Sequence, residues 1–445
     1  MKKTVFALTL FRDRNQTLLR ELTRRFRVLM FERDRPSGNT EVETVEALVS
    51  RQDVAYSEER VRAELQRCLA FTRGLLAKHV PELSPRFLNE EALKTLYRKA
   101  RGATYEGALF RALLRTTRVD LLVGAADYSV YNRPVVLEAR RQGIPTLDVQ
   151  HSFIAAVWEA DVCAERFPPF FPFISDFVNL DNDVEREVWQ THADATPNGR
   201  HVTFLTNGTP NDVSCLAALS REEARTQLGL QLDSNVVTVA GSWSEARRPT
   251  MTVLGPLGEL AYFESAFRGL AALQRTIALE VVVKLHPAYA SDAIFDGARS
   301  YLETLAERTG LARPSILCTQ TPEVLAASDL LVAPGCSSLL WEGLMTGVPG
   351  LVCLQPHELH VYRPERLNRS NVLFREGLLR YVFDDEELAA AVRDGLAPEN
   401  RRRHAATWER LRRERDLRVK TAGEKSRRLC DWIETYLNTN GNHED

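Results

Sequence analysis

Nowhere among the 445 residues does an apolar run approach the roughly 20 residues needed to span a bilayer. The apolar stretch Thr4–Phe11 follows Met1-Lys2-Lys3 as a signal peptide would, yet Arg12, Asp13 and Arg14 end it and no small-residue cleavage site follows. A first β-strand is the expected reading. Paired cysteines are also missing. Seven of them (Cys68, Cys163, Cys215, Cys318, Cys336, Cys353 and Cys430) lie scattered without a C-x-x-C spacing. An odd, dispersed set in a chain of this length predicts reduced thiols and a cytoplasmic location, with neither a metal nor a catalytic role. Charge of one sign is not in excess, at 58 Lys+Arg against 60 Asp+Glu and a formal net charge of -2. No domain-wide electrostatic footprint for nucleic acid is therefore expected. Internal repeats, low-complexity linkers and a G-x-x-x-x-G-K-[ST] run are absent as well, and the last absence argues against a P-loop nucleotidase.

What remains is an ordinary globular composition, 44% apolar and 27% charged, in a chain too long for one hydrophobic core. The second half reads most clearly. Asn235–Ala240, Glu280–Leu285, Ser315–Cys318, Asp329–Ala333 and Val348–Leu354 are short apolar runs, and helix-length segments near 257–275, 291–309, 321–327 and 338–346 separate them. Such alternation is the mark of a parallel sheet covered on both faces. In the first half, strands are expected at 4–11, 26–31, 120–125, 145–150, 176–180 and 201–205. The stretch from about 41 to 117 shows helical spacing of its apolar residues and no good strand. The fold class is α/β, with two doubly wound Rossmann-like domains and a helical insertion in the first. The domains are expected at 1–212 and 213–425, followed by a C-terminal helix and tail at 426–445. The turn formers Thr206–Asp212 and the capping box opened by Ser220-Arg-Glu-Glu223 mark the boundary. A final stretch, roughly 398–438, reads as wholly helical.

Ligands in such sheets bind at the carboxyl ends of the strands, so the motifs found there carry the functional information. Lys284-Leu285-His286-Pro287 ends a strong strand. Pro287 biases His286 toward an extended backbone, and the Lys/His pair can bind or protonate a phosphate. Ala333-Pro334-Gly335-Cys336-Ser337-Ser338 leads from a strand through a glycine turn into a helix N-terminus. Free N–H groups, the helix dipole and two hydroxyls there favour an anion, although Ser337 and Ser338 also suit plain helix capping. Glu342, one turn on, can accept from a sugar or ribose hydroxyl. In the first half, Leu121–Asp127 delivers an aspartate and Gly143–His151 delivers a histidine to neighbouring strand ends. Asp127 or His151 is a candidate general base, each with a structural alternative as cap or satisfied corner residue. Three features read more blandly. The basic run Arg401–Arg415 suits a solvated helix face better than a membrane-surface helix. The Pro/Phe loop 167–173 suits core packing. Asp181-Asn182-Asp183 could hold a divalent metal but is better read as a turn or helix cap.

Taken in order, these elements resemble the GT-B glycosyltransferase superfamily of bacterial surface-polysaccharide synthesis. The resemblance rests on G-I-P-x-x-x-x-Q-H (Gly143 to His151), N-G-x-P-x-D (Asn207 to Asp212), K-x-H-P (Lys284 to Pro287) and S-D-L-L-V-x-x-x-x-S-S-L-x-x-E-x-L-x-x-G-x-P (Ser328 to Pro349). Capsule Kdo transferases, bacterial sialyltransferases and CDP-glycerol glycerophosphotransferases share versions of the His-Pro and Ser-Ser elements. Residues 1–119 match none of them. The resemblance implies a donor phosphate held by His286, Ser337 and Ser338, in a donor site that Lys284, Pro287, Gly335 and Glu342 complete, with catalysis by His286 and a base, Asp127 or His151. It further implies a nucleotide-sugar donor, with a CMP-activated acidic sugar favoured, and a glycan or lipid-linked acceptor. No cofactor, metal or nucleic acid is implied, and the setting is cytoplasmic with a peripheral contact at the inner membrane as a variant. The chain departs from the pattern in two places. Ser152 stands where glycine commonly follows the histidine, and the acidic-acidic-glycine signature of the CMP-sugar groups is missing. A UDP-sugar 2-epimerase, a CDP-glycerol-type glycerophosphotransferase and a non-catalytic nucleotide- or glycan-binding module are the competing expectations.

Overall fold

A computed structural model of the chain describes residues 2–8, 16–36, 39, 41–59, 61–63, 65–67, 69–70, 90–125, 132–150, 173–196, 199–210, 219–241, 255–290, 292–334, 338–353, 372–415, 417 and 420–440. Its strands form two wholly parallel sheets. The first holds β1 (Thr4–Leu8), β2 (Arg27–Met30), β3 (Glu43–Thr44), β4 (Leu121–Gly124), β5 (Thr146–Val149), β6 (Phe177–Asn179) and β7 (Thr203–Leu205) in the order 3-2-1-4-5-6-7. The second holds β8 (Asn235–Ala240), β9 (Leu279–Lys284), β10 (Ser315–Leu317), β11 (Leu330–Pro334), β12 (Gly350–Cys353) and β13 (Leu379–Val382) in the order 10-9-8-11-12-13. The strand order reverses between β1 and β4 in one sheet and between β8 and β11 in the other. This is the doubly wound arrangement the sequence predicts, with helices on both faces.

Short, β-branched strands buried on both faces explain why these runs pair in parallel. Every residue of β1, β4, β5 and β12 is buried. In the second sheet, Val237, Val239, Val281 and Val283 pack on one face with Tyr262, Phe267 and Leu270 of the helix Gly255–Gln274. On the other face Leu331, Ala333 and Val352 meet Leu340, Trp341 and Leu344 of the helix Ser338–Met345. The first sheet packs Phe6, Leu29 and Leu122 against Phe110 and Leu113 of the helix Glu90–Leu113. Its opposite face packs Val5, Leu121 and Val149 against the helix Gln16–Arg25. That same face also receives Leu429, Cys430, Ile433 and Leu437. These four belong to the helix Ala422–Asn440, so the chain returns from the second sheet to complete the first.

Three expectations need correction. The strand β13 went unrecognised, because Leu379–Val382 offers only four residues with an exposed Arg380 among them. The stretch read as strand-free contains β3, a two-residue edge strand. The stretch 398–438 is not wholly helical, since two helices, Pro398–Glu414 and Ala422–Asn440, end and restart within it. Thr421 caps the second of these, its hydroxyl accepting from the Glu424 N–H at 3.2 Å while the Glu424 carboxylate accepts from the Thr421 N–H at 2.8 Å. A capping box is a start signal, which the run of apolar spacing masked.

Candidate functional site

On the second sheet, the carboxyl edge beside the strand-order reversal is built by β8, β9 and β11. β9 hands over to Leu285-His286-Pro287, and Pro287–Tyr289 forms one turn of 3-10 helix. The Tyr289 N–H donates to the His286 carbonyl at 3.0 Å, closing that turn and leaving His286 as the first half-buried residue past the edge. The Gly241 N–H donates to the Lys284 carbonyl at 2.8 Å, so β8 and β9 reach the edge together. Lys284 itself is buried, and its ammonium donates to the carbonyls of Leu285 at 2.9 Å and Cys318 at 3.2 Å. At least two of its three donors are thus spent on backbone beneath the turn. Lys284 thereby ties β9 to the end of β10 and braces the turn that carries His286.

β11 ends at Pro334, and Ser338 opens the helix that follows. Gly335 and Ser337 lie outside the described residues, as does the side chain of Ser338. Glu342 lies one turn into the helix, half-buried. Elsewhere in the long motif from Ser328 to Pro349, Ser328, Asp329 and Gly347 shape the fold. The Asp329 carboxylate, wholly interior, accepts from the Val236 N–H at 2.8 Å and from Arg225 and Arg401, both at 2.8 Å. The Ser328 hydroxyl bonds Thr238 and the Val324 carbonyl, both at 2.6 Å. Gly347, at φ +83°, lets the chain leave the helix toward β12 in a conformation that side-chain-bearing residues resist.

On the first sheet, Asp127 and His151 both lie outside the described residues. At the ends of β5 and β6 the structure places a buried polar set built on Asp148 and Asn179, which sequence reasoning did not single out. Gln150 donates its side-chain amide to the Asp148 carboxylate at 2.5 Å, and its N–H to the Asn179 carbonyl at 3.1 Å. Asp148 and Asn179 are fully buried. Polar side chains are costly inside a parallel sheet unless they are bonded, and these three hold the ends of β5 and β6 in register. A strand reading Thr-Leu-Asp-Val-Gln carried the signal, since its alternate residues are polar where a doubly covered strand should be uniformly apolar.

The N-G-x-P motif resolves into a junction. Asn179 donates to the Gly208 carbonyl at 2.8 Å and accepts from the Asn207 N–H at 3.2 Å. Asp181 accepts from the Thr209 N–H at 3.0 Å, the Thr209 hydroxyl at 3.1 Å and the Lys425 ammonium at 2.9 Å. Those partners, the ammonium above all, outweigh burial and hold the Asp181 carboxyl below its ordinary range. Next to it, Glu185 accepts from the Asp181 N–H at 2.8 Å, and burial beside that anion pushes it up to about 8. Asn182 caps the helix Asp183–Ala195, and Asp183 pairs with Arg186 at 3.1 Å. The triplet 181–183 is therefore a turn and a helix cap, and among the described residues no group of three His, Cys, Asp or Glu side chains is placed to hold a metal. The basic run 401–415 is anchored by buried Trp408 and Leu411, with Arg401 on Asp329 and Arg415 on Glu187. No described helix is long and apolar enough to cross a membrane.

With this geometry in view, the architecture can be set beside solved structures. The chain resembles a UDP-GlcNAc 2-epimerase from Neisseria meningitidis bound to UDP-GlcNAc, at a TM-score of 0.52 and 12% identity over 98% of this chain and 99% of that one. It resembles Os79 from O. sativa in complex with UDP equally, at 0.52 and 14% identity over 97% and 100%. A glycosyltransferase from Rickettsia africae gives 0.50 and 9% over 99% of each chain. The end-to-end coverage shows that the two-sheet arrangement as a whole is shared, and the chain has the GT-B fold. No protein-family model matches the chain, and no curated protein matches it.

Proposed function

We propose that the chain is an enzyme acting on a nucleotide sugar, and that it transfers the glycosyl group to a glycan or lipid-linked acceptor. One observation carries this reading. On either side of β8 in the second sheet, β9 hands over to a half-buried histidine on a lysine-braced turn, and β11 is followed in the chain by a glycine-serine sequence and the helix that opens at Ser338. That combination suits a diphosphate or phosphodiester leaving group, because N–H groups, hydroxyls and an imidazole all stabilise developing negative charge. His286, Ser337 and Ser338 hold the phosphate, Glu342 accepts from a donor hydroxyl, and Asp127 or His151 takes the acceptor's proton. The likeness to structures holding UDP and UDP-GlcNAc supports a nucleotide-sugar ligand. The serine-rich motif favours a CMP-activated acidic sugar, and the two supports differ on the base.

A thermal-shift panel of CMP, CDP, UDP, GDP and dTDP on wild type, His286→Ala and Ser337→Ala decides. A ligand binding only the native state raises the melting temperature as its concentration exceeds Kd, by about 2.7 kcal/mol of stability at a hundredfold excess. Stabilisation by one nucleotide, weakened in both variants, is expected. No response to any nucleotide overturns the reading. Epimerisation is the second reading, favoured by the likeness to the Neisseria meningitidis enzyme. Its signature is the appearance of ManNAc or UDP-ManNAc from UDP-GlcNAc without an acceptor.

A further inference from the structure

The helical insertion of the first sheet contains a groove that the proposed donor site does not use. Its volume is about 730 Å³, and Arg51, Arg98, Arg101, Tyr56, Tyr105 and Gly102 line it. Among the described residues no carboxylate lines it. The helix Glu90–Leu113 leads into β4, so it runs against the strands and its N-terminal half projects past their carboxyl edge. Glu106 marks that edge by pairing at 2.8 Å with Arg33, just beyond β2. At 1.5 Å per residue, Arg101 and Arg98 stand about 8–12 Å farther out. Residues 58–70, helical where described, brace the wall. Tyr97 donates to Glu58 at 2.6 Å and accepts from Arg62 at 3.0 Å.

Tyr56 and Tyr105 meet edge to face at 5.6 Å between ring centres. The Tyr56 hydroxyl is buried and finds no hydrogen-bond partner among the described residues. Both tyrosines line the groove, so their rings form part of its wall. A Cβ placed on Gly102 would meet nothing within 4 Å, so the groove floor is open there. Three guanidinium groups suit a carboxylate or phosphate, which they can grip bidentately, and the tyrosine rings offer an apolar face to a sugar ring. The volume falls within the range of small-ligand clefts.

The geometry points to an acidic saccharide, a sugar bearing a carboxylate or phosphate, as the ligand of this groove. Its service as the acceptor rests on the glycosyl-transfer reading, whereas anion binding itself does not. The test is calorimetric titration of the full-length protein at low salt with trigalacturonate, mannose 6-phosphate and maltotriose. Wild type is expected to bind an acidic probe and to ignore the neutral one, and the tighter acidic probe names the anionic group. Gly102→Glu sets a carboxylate on the open floor and is expected to weaken binding at least roughly tenfold, like charges being strongly disfavoured at close range. Gly102→Ala should bind as wild type does, and both variants should melt no lower. Binding of maltotriose as tight as that of the acidic probes overturns the proposal. So does no acidic binding, or a Gly102→Glu protein that binds like wild type. The nucleotide thermal shift of Gly102→Glu, expected to equal wild type, reads the donor site separately, so either reading can fail alone.

Discussion

Asp181 and Lys425 form an ion pair 244 positions apart in sequence, with the lysine side chain 5% and the aspartate 12% exposed. Removing one member strands the other's charge in the interior, which typically costs about 3–5 kcal/mol. Lys425→Met is expected to lose that much in urea denaturation followed by circular dichroism. The adjacent carboxyls give a pH dependence with a definite sign. Glu185 is pushed up to about 8 and Glu106 to about 7, in both cases chiefly by burial. A raised carboxyl contributes stability below its ordinary range and loses it as pH climbs through the raised value, so the urea midpoint should fall from pH 6 to pH 9. Asp181, held low, acts oppositely, and its contribution disappears on acidification. Glu185→Gln keeps an acceptor for the Asp181 N–H and should flatten the alkaline fall. An unchanged alkaline slope in that variant would remove Glu185 as its cause.

Among the elements, the strands were legible because their chemistry is local. Asn235–Ala240 is a β-branched run with polar punctuation on both sides, and the pairing confirms its limits at both ends. The helix Thr321–Ala327 was equally plain, opened by Pro322 at its start. β13 was not, because a four-residue strand is recognised by the neighbour it pairs with, here β12, rather than by its own pattern. At the candidate site the sequence showed which residues stand at strand ends but not what each touches. The sequence marks Lys284 but not its bonds to the Leu285 and Cys318 carbonyls, and it marks Asp329 within a motif but not the Arg225 guanidinium that it accepts from. Close helix packing depends on contacts equally distant in sequence. A Cβ on Gly269 would lie 2.7 Å from the Asp385 carbonyl oxygen, so the helices Gly255–Gln274 and Asp385–Leu396 touch backbone to backbone. Gly269→Ala must push them apart and is expected to cost about 1–3 kcal/mol, measured as a lower urea midpoint. A variant as stable as wild type would mean that the contact yields freely.

Across the whole molecule, the two sheets are tied by the chain's return path as well as by the crossing near 206–234. Arg415 on Glu187 and Lys425 on Asp181 fasten that path where it reaches the first sheet. Beyond them Ile433, fully buried, sits among Leu429, Leu437 and the first sheet's strands. Ile433→Ala empties that seat and should cost about 2–5 kcal/mol. Because the helix belongs to the first sheet's core, the loss should lower the melting of that half first, seen as earlier deuterium uptake in β1 and β4 than in β8 and β9. Equal uptake in both sheets would show that the halves unfold as one. The same return path has a consequence for biosynthesis. As the ribosome delivers the chain, the face formed by Leu18, Leu22 and Val28 waits while nearly four hundred residues emerge, and is sealed by this helix only when 422–440 follow. The half made first is finished last, and in the interval its greasy flank is a natural client for a holding chaperone.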